Sequence, residues 1–188
     1  MRIFTVFLTA GFLLVGAGCG TGDLERKRMA ANENAARAAC FTYVEAQEIY
    51  YRADYPKTGT KCYAQHLKGD NSLLETKAGA GDISLIDRTF GDAEGDPGSA
   101  APKAGYCFKV LTRQGAHADG GALDYVVEGK MTKGYALIAY PAQYGKTGKN
   151  CFMVSKAGEI WVKDVGERTH DAVRKMVEFD PDNSWVPY

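Results

Sequence analysis

The stretch Arg113 to Tyr125, "RQGAHADGGALDY", holds the densest group of polar side chains that could do chemistry. His117, Asp119 and Asp124 offer an imidazole and two carboxylates, and calcium takes carboxylate and carbonyl oxygens at flexible loops. The spacing differs from that of an EF-hand, and glycine and aspartate are also the residues that turns use. We expect a glycine-rich connection between strands, and the alternative is a ligand- or calcium-binding periplasmic module centred on residues 113–125.

Motifs of phosphate binding and of serine hydrolases are absent from the sequence. Gly120-Gly121 is followed neither by Gly-Lys-Ser/Thr nor by a helix that a G-x-G-x-x-G would open, and none of the five serines lies in G-x-S-x-G. Cys40 could pair with His66 or His117, but it falls on an apolar helix stripe, where cysteine usually packs or forms a disulfide. We therefore expect no catalysis and no cofactor, and a hydrolase is the least favoured reading.

Aromatic side chains in the last third of the chain form a second candidate surface. "YALIAYPAQYGKTG", residues 135–148, is predicted as a buried strand that Pro141 ends, followed by a glycine turn. Tyrosine and tryptophan are common anchors at binding surfaces. If the structure exposes them together, an envelope protein partner could bind a groove formed by Tyr140, Tyr144, Trp161 and Trp185.

The N-terminal residues follow the order of charged, apolar and small residues that is typical of a secretory signal. Arg2 precedes an apolar run, and small residues lead into Cys19. The run is shorter than the roughly 20 apolar residues that span a membrane. The segment resembles a bacterial lipobox, which implies cleavage before Cys19 and a lipid anchor on it; the alternative is an ordinary secreted protein.

The sequence therefore predicts three parts: a signal peptide at 1–18, a tether at 19–31 and a single domain at 32–188. Gly20 follows the cysteine, and by the sorting rule of such lipoproteins this favours the outer membrane. The leading expectation is a non-catalytic lipoprotein of the bacterial cell envelope, on its periplasmic or surface face, that serves as an interaction or assembly module. Lys+Arg and Asp+Glu both count 23, which argues against an electrostatic nucleic-acid binder.

Four further cysteines fit an oxidising compartment. Cys40, Cys62, Cys107 and Cys151 are too far apart for a C-x-x-C zinc pattern. Disulfides are expected, and three pairings remain open.

Periodicity predicts a long helix followed by strands. From Asn32, a candidate N-cap, to Arg52 there is no proline or glycine, and Glu48 can pair with Arg52. One helix face carries Ala36, Cys40, Tyr43, Gln47 and Tyr50. Strands are predicted at 106–113 and 135–142, then a hairpin turning at Lys156-Ala157-Gly158 and a short helix at about 169–178. The expected fold class is α+β, with the long N-terminal helix packed on an antiparallel β-meander.

This order of parts resembles the soluble domain of type IV pilins and pseudopilins, although the short basic leader and the early glutamate of a pilin are missing. The chain also resembles a family of secreted bacterial proteins known only as a domain of unknown function. The resemblance rests on "NENAARAACFTYVEAQ" with Tyr63-Ala64-Gln65, on "GYALIAYPAQYGKTG" and "FMVSKAGEIWVKDVG", and on the ending "FDPDNSW". It covers about residues 32–186 and implies a fold and an envelope location, but no activity.

Overall fold

A computed structural model describes residues 21–55, 59–75 and 83–188 of the chain. The predicted signal segment and Cys19 lie outside these residues. The described elements are α1 (Thr21–Arg52), α2 (Arg88–Gly91), β1 (Tyr106–Leu111), β2 (Arg113–Gln114), β3 (Leu123–Asp124), β4 (Val126–Val127), β5 (Lys130–Met131), β6 (Ala136–Pro141), β7 (Asn150–Ser155), β8 (Ile160–Asp164), α3 (Thr169–Lys175), β9 (Glu178–Phe179) and β10 (Val186–Pro187). Within those ranges, no helix has the length and apolarity needed to span a membrane.

The apolar stripe of α1 is buried, as its periodicity predicts. Cys40, Tyr43 and Gln47 have no exposed surface, and Ala36 and Tyr50 have 1% each. The Tyr43 hydroxyl donates to the carbonyl of Ala136 on β6, which ties the helix to the sheet. The predicted pair Glu48–Arg52 forms, with 3.8 Å between Oε2 and the guanidinium.

The helix begins at Thr21, so the prediction of a start near Asn32 is wrong, and residues 21–31 form helical turns where we expected a tether. This segment is rich in good helix formers, and Asp23 pairs with Arg26 and Lys27 one turn later. Asn32 is therefore not an N-cap. Its side-chain amide instead donates to the carbonyl of Thr147, 2.8 Å away, in the loop between β6 and β7.

The main sheet is antiparallel, with the order β1-β6-β7-β8-β10, and it confirms the α+β fold class. Every residue of β6 is buried, because α1 packs on one face of the sheet and α3 and β9 pack on the other. The predicted hairpin is confirmed: Phe152 pairs with Val162 and Val154 with Ile160. On the second face, the Lys109 amine donates to the carbonyls of Val173 and Arg174 at the end of α3.

A three-stranded sheet in the order β3-β2-β9 departs from the predicted meander. β2 pairs antiparallel with β3 but parallel with β9. The C-terminal helix ends at Lys175 rather than near Glu178, because residues Glu178–Phe179 leave it to form β9. This pairing brings residues 178–180 beside residues 113–117.

The four described cysteines are free thiols, so the expected disulfides are absent among the described residues. Cys40 lies on α1 and Cys62 in the segment after it. Cys107 on β1 and Cys151 on β7 are separated by the strand β6. Burial raises the pKa of Cys40 and Cys151 to about 12 and that of Cys107 to about 11. Each thiol therefore packs as a small apolar group.

Candidate ligand cleft

An open cleft of about 310 Å³ lies beside the turn between β7 and β8. We call this pocket the cleft. Its lining residues come from the ranges 114–125, 133–134, 155–161 and 179–181. Four separate pieces of chain meet there: the end of β2 with the connection after it, the residues before β6, the β7–β8 hairpin, and the end of β9 with the residues after it. Its volume is at the lower end of the roughly 300–1,000 Å³ range of ligand pockets.

The parallel pairing of β2 with β9 builds one side of the cleft. Gln114 is in register with Phe179, and the Gly115 amide donates to the Phe179 carbonyl over 2.9 Å. A Cβ atom on Gly115 would lie 2.7 Å from the Cβ of Asp180 and closer still to its carboxyl group. Glycine is therefore required at 115 for Asp180 to approach.

His117 and Asp180 form a clip across this junction. The backbone amide of His117 donates to Oδ1 of Asp180 over 2.8 Å, and ring atom Nδ1 lies 3.0 Å from Oδ2. The hydrogen bond with the Asp180 carboxylate raises the pKa of His117 above its ordinary value. This imidazole is thus held by a carboxylate of the C-terminal segment.

Gln114 shapes the loop that follows it. Its side-chain amide donates to the carbonyls of Asp119 and Gly121 over 2.8 and 2.7 Å, and its oxygen accepts from the Tyr125 hydroxyl over 3.0 Å. Tyr125 packs against Gly134, where an added Cβ would lie 2.7 Å from the tyrosine ring. Sequence reasoning did not select Gln114, Gly115 or Gly134, because their roles depend on contacts with distant parts of the chain.

The remaining walls combine one indole with charges of both signs. Trp161 is half-buried, whereas Lys133, Lys156, Asp119 and Glu159 are exposed. The Lys156 ammonium lies 5.3 Å from the ring centre of Tyr63, and its hydrogen bond with the Tyr63 hydroxyl raises the pKa of Lys156. The cleft therefore offers an aromatic surface edged by hydrogen-bond donors and acceptors.

A sequence profile of the family described as "Protein of unknown function (DUF2950)" matches residues 15–187. The chain belongs to this family. The match spans the whole described fold, so the cleft lies inside the DUF2950 region. Neither the curated proteins nor the solved structures include a match to the chain.

The predicted metal candidates of this DUF2950 protein lie in or beside the cleft but do not come together as a metal site. Within residues 21–55, 59–75 and 83–188, no group of three or more His, Cys, Asp or Glu side chains could hold a metal ion. His117 is engaged by Asp180, Asp119 lies on the loop, and Asp124 is exposed on β3. His117 therefore belongs to the clip, Asp119 to the loop and Asp124 to the pairing of β3 with β2.

The predicted aromatic groove is wrong, because its four members do not share an exposed surface. Tyr140 is 1% exposed and donates its hydroxyl to the Gly95 carbonyl, since β6 is covered on both faces. Trp185 is 6% exposed, with the Lys163 ammonium 5.6 Å from its ring centre. Tyr144 is half-buried, and its hydroxyl donates to Asp164. Trp161 alone of the four lines the cleft.

Ser155 lies in the wall of the cleft and is the serine to consider as a nucleophile there. Its Oγ accepts a hydrogen bond from the Ala157 amide over 3.3 Å. No hydrogen bond in the described structure joins Ser155 to His117, whose Nδ1 faces Asp180. The cleft thus contains a serine and a His–Asp pair, but the two lack the hydrogen bond that joins a catalytic nucleophile to its base.

Proposed function

We propose that this DUF2950 protein is a non-catalytic binding module of the cell envelope that takes a small ligand in the cleft. The observation that carries the proposal is the convergence of four chain segments around the cleft that Trp161 lines, held by Gly115, Gln114 and the His117–Asp180 clip. Ligand sites are concave, with an aromatic wall and a few well-placed polar groups. The cleft has these features.

A ligand role is better supported than a protein-binding aromatic face. Such a face would need Tyr140 and Trp185, and both side chains are buried in the core. A binding role is also better supported than a hydrolytic one, because Ser155 bonds the Ala157 amide rather than the His117 imidazole. The α1 helix packed on an antiparallel sheet also supports, at the level of fold alone, a likeness to pilin domains.

A thermal-unfolding screen of the full-length protein tests the ligand role. The compounds are saccharides, amino acids, short peptides, aromatic carboxylates and calcium chloride. A ligand that binds only the folded state raises Tm. We expect at least one class to raise Tm for the wild type and for Phe41→Ala, an aromatic control that is 51% exposed on α1, but not for Trp161→Ala. A screen without any stabilising class, or with a shift that Trp161→Ala keeps, would overturn the proposal.

The envelope location rests on the small residues that precede Cys19. We propose that Cys19 carries the lipid anchor and that the outer membrane is its destination. Intact-mass measurement of the protein produced in a bacterium is expected to give a chain that begins at Cys19 with an added diacylglycerol group. Cys19→Ser is expected to remove that mass and release the protein from the membrane fraction. An unmodified wild-type Cys19 would contradict the anchor.

A further inference from the structure

The chemistry of the cleft also narrows the kind of ligand, on the basis of the function proposed above. We propose that the cleft takes a small neutral saccharide, with one sugar ring against the indole of Trp161. Three features of the cleft point to this class: its charge balance, the exposure of its charged groups and the half-buried indole of Trp161.

The charges on the cleft walls cancel. Lys133 and Lys156 contribute two positive charges, and Asp119 and Glu159 contribute two negative charges, so their formal sum is zero. His117 is balanced by its partner Asp180. A site selective for an anion or a cation gathers charge of one sign, which steers and concentrates that ligand. The balanced walls favour a ligand without net charge.

The charged groups are also exposed, which disfavours recognition by ion pairing. Exposed ion pairs contribute little, because water and salt screen them and the side chains must be immobilised. A hydrogen bond from a neutral hydroxyl to a charged group contributes more than a bond between neutral groups. Lysine ammonium groups donate, and the carboxylates of Asp119 and Glu159 accept. A ligand rich in hydroxyls can use both, since each hydroxyl donates and accepts.

The aromatic wall completes the match. Trp161 is half-buried, which leaves part of its indole open to the cleft. A sugar ring has hydroxyls around its rim and C–H groups on its faces, so one ligand can contact the indole and the polar rim together. The Lys156 ammonium lies over the ring of Tyr63, so the lysine at the rim that is free to bond a sugar hydroxyl is Lys133.

The indole N–H resonances of the full-length protein provide the test, because the chain has two tryptophans. Trp161 lines the cleft, whereas Trp185 is buried and serves as an internal reference. The probes are N-acetylglucosamine, its β-1,4-linked dimer, maltose, glycylglycine and benzoate. We expect one of the saccharides to shift the Trp161 resonance saturably and to leave that of Trp185 in place.

Two substitutions test the polar rim. Lys133→Ala and Glu159→Gln are each expected to weaken the saccharide about tenfold, the effect of one lost hydrogen bond to a charged group. Lys149→Ala and Glu45→Gln alter exposed side chains outside the cleft and are expected to bind as the wild type does.

The outcomes separate the two proposals. If glycylglycine or benzoate shifts Trp161 and the saccharides do not, the saccharide class is wrong, while the cleft remains a binding site. If no probe shifts Trp161 and the broader thermal screen also finds no ligand, the binding function itself is overturned. Unchanged saccharide affinity in both rim variants would overturn the assigned contacts and with them the proposed class.

Discussion

The Asp180 carboxyl group lies in the space that a side chain on residue 115 would fill. This close approach lets Asp180 bond both the backbone amide and the imidazole of His117. Residues 115–117 and the segment after β9 are far apart in sequence, and this contact fixes them as one wall of the cleft.

Gly115→Ala is expected to destabilise the protein by about 1–3 kcal/mol, the range of an added group that a packed site must move to accept. Urea unfolding of the full-length protein measures the change. Gly22→Ala is the matched control, because its Cβ would meet nothing within 4 Å at the start of α1. The control is expected to be neutral or slightly stabilising. Equal stability of the two variants would show that Asp180 does not need the space.

The His117–Asp180 clip predicts a pH dependence. The folded-state pKa of His117 is raised above 6.5 by its hydrogen bond with Asp180. The stability that the protonated imidazole contributes through Asp180 is therefore fully present below the His117 pKa of the unfolded chain and is lost as pH rises through the folded-state value. NMR titration of the imidazole is expected to give a pKa above 6.5 in the wild type and a lower one in Asp180→Asn. The same pKa in both proteins would contradict the clip.

The Gln47 side chain, on α1 and outside the cleft, predicts a stability effect. Its amide donates to the Ala64 carbonyl over 2.8 Å and accepts from the Ala64 amide over 2.9 Å, and all of these groups are buried. Gln47→Leu leaves both backbone groups of Ala64 without a partner, which is expected to cost about 2 kcal/mol or more. Glu45→Ala, an exposed change on the same helix, is expected to stay within about 0.5 kcal/mol of the wild type. Denaturant unfolding distinguishes the two.

The buried thiols predict a reactivity pattern. Burial raises the pKa of Cys40, Cys107 and Cys151, and only the thiolate is nucleophilic, so the native protein is expected to resist iodoacetamide at pH 8. In urea without reductant, Cys40, Cys62, Cys107 and Cys151 are all expected to react, because none is bonded to another. Intact mass reads the number of labels. A protein that takes up these labels only after reduction would contain disulfides and would contradict the structure.

The elements that are set by local pattern could be predicted from the sequence. The spacing of Cys40, Tyr43 and Gln47 predicted the buried helix face, and the connection Lys156-Ala157-Gly158 predicted the hairpin. These features depend on neighbours within a few residues, which periodicity reads directly. The helix start was missed because residues 21–31 have helix-forming composition but no buried stripe.

The features set by distant contacts could not be predicted. The parallel pairing of Gln114 with Phe179 joins segments whose local patterns carry no sign of each other. Tyr140 and Trp185 are chemically suited to a binding surface, but both side chains are buried by contacts with distant parts of the chain. Residues 113–125 were chosen for their polar side chains, yet the cleft beside them depends equally on Gly134 and Trp161.

Amide chemical-shift mapping of the full-length protein tests the central claim, the cleft, most directly. The protein is titrated with the β-1,4-linked dimer of N-acetylglucosamine and, in parallel, with whichever compound raises Tm most in the thermal screen. We predict saturable shifts of the amide resonances in residues 114–125, 133–134, 155–161 and 179–181. The amide resonances on the outer face of α1, around Phe41 and Ile49, are expected to stay unchanged. Shifts concentrated on that face of α1, with the cleft silent, would contradict it.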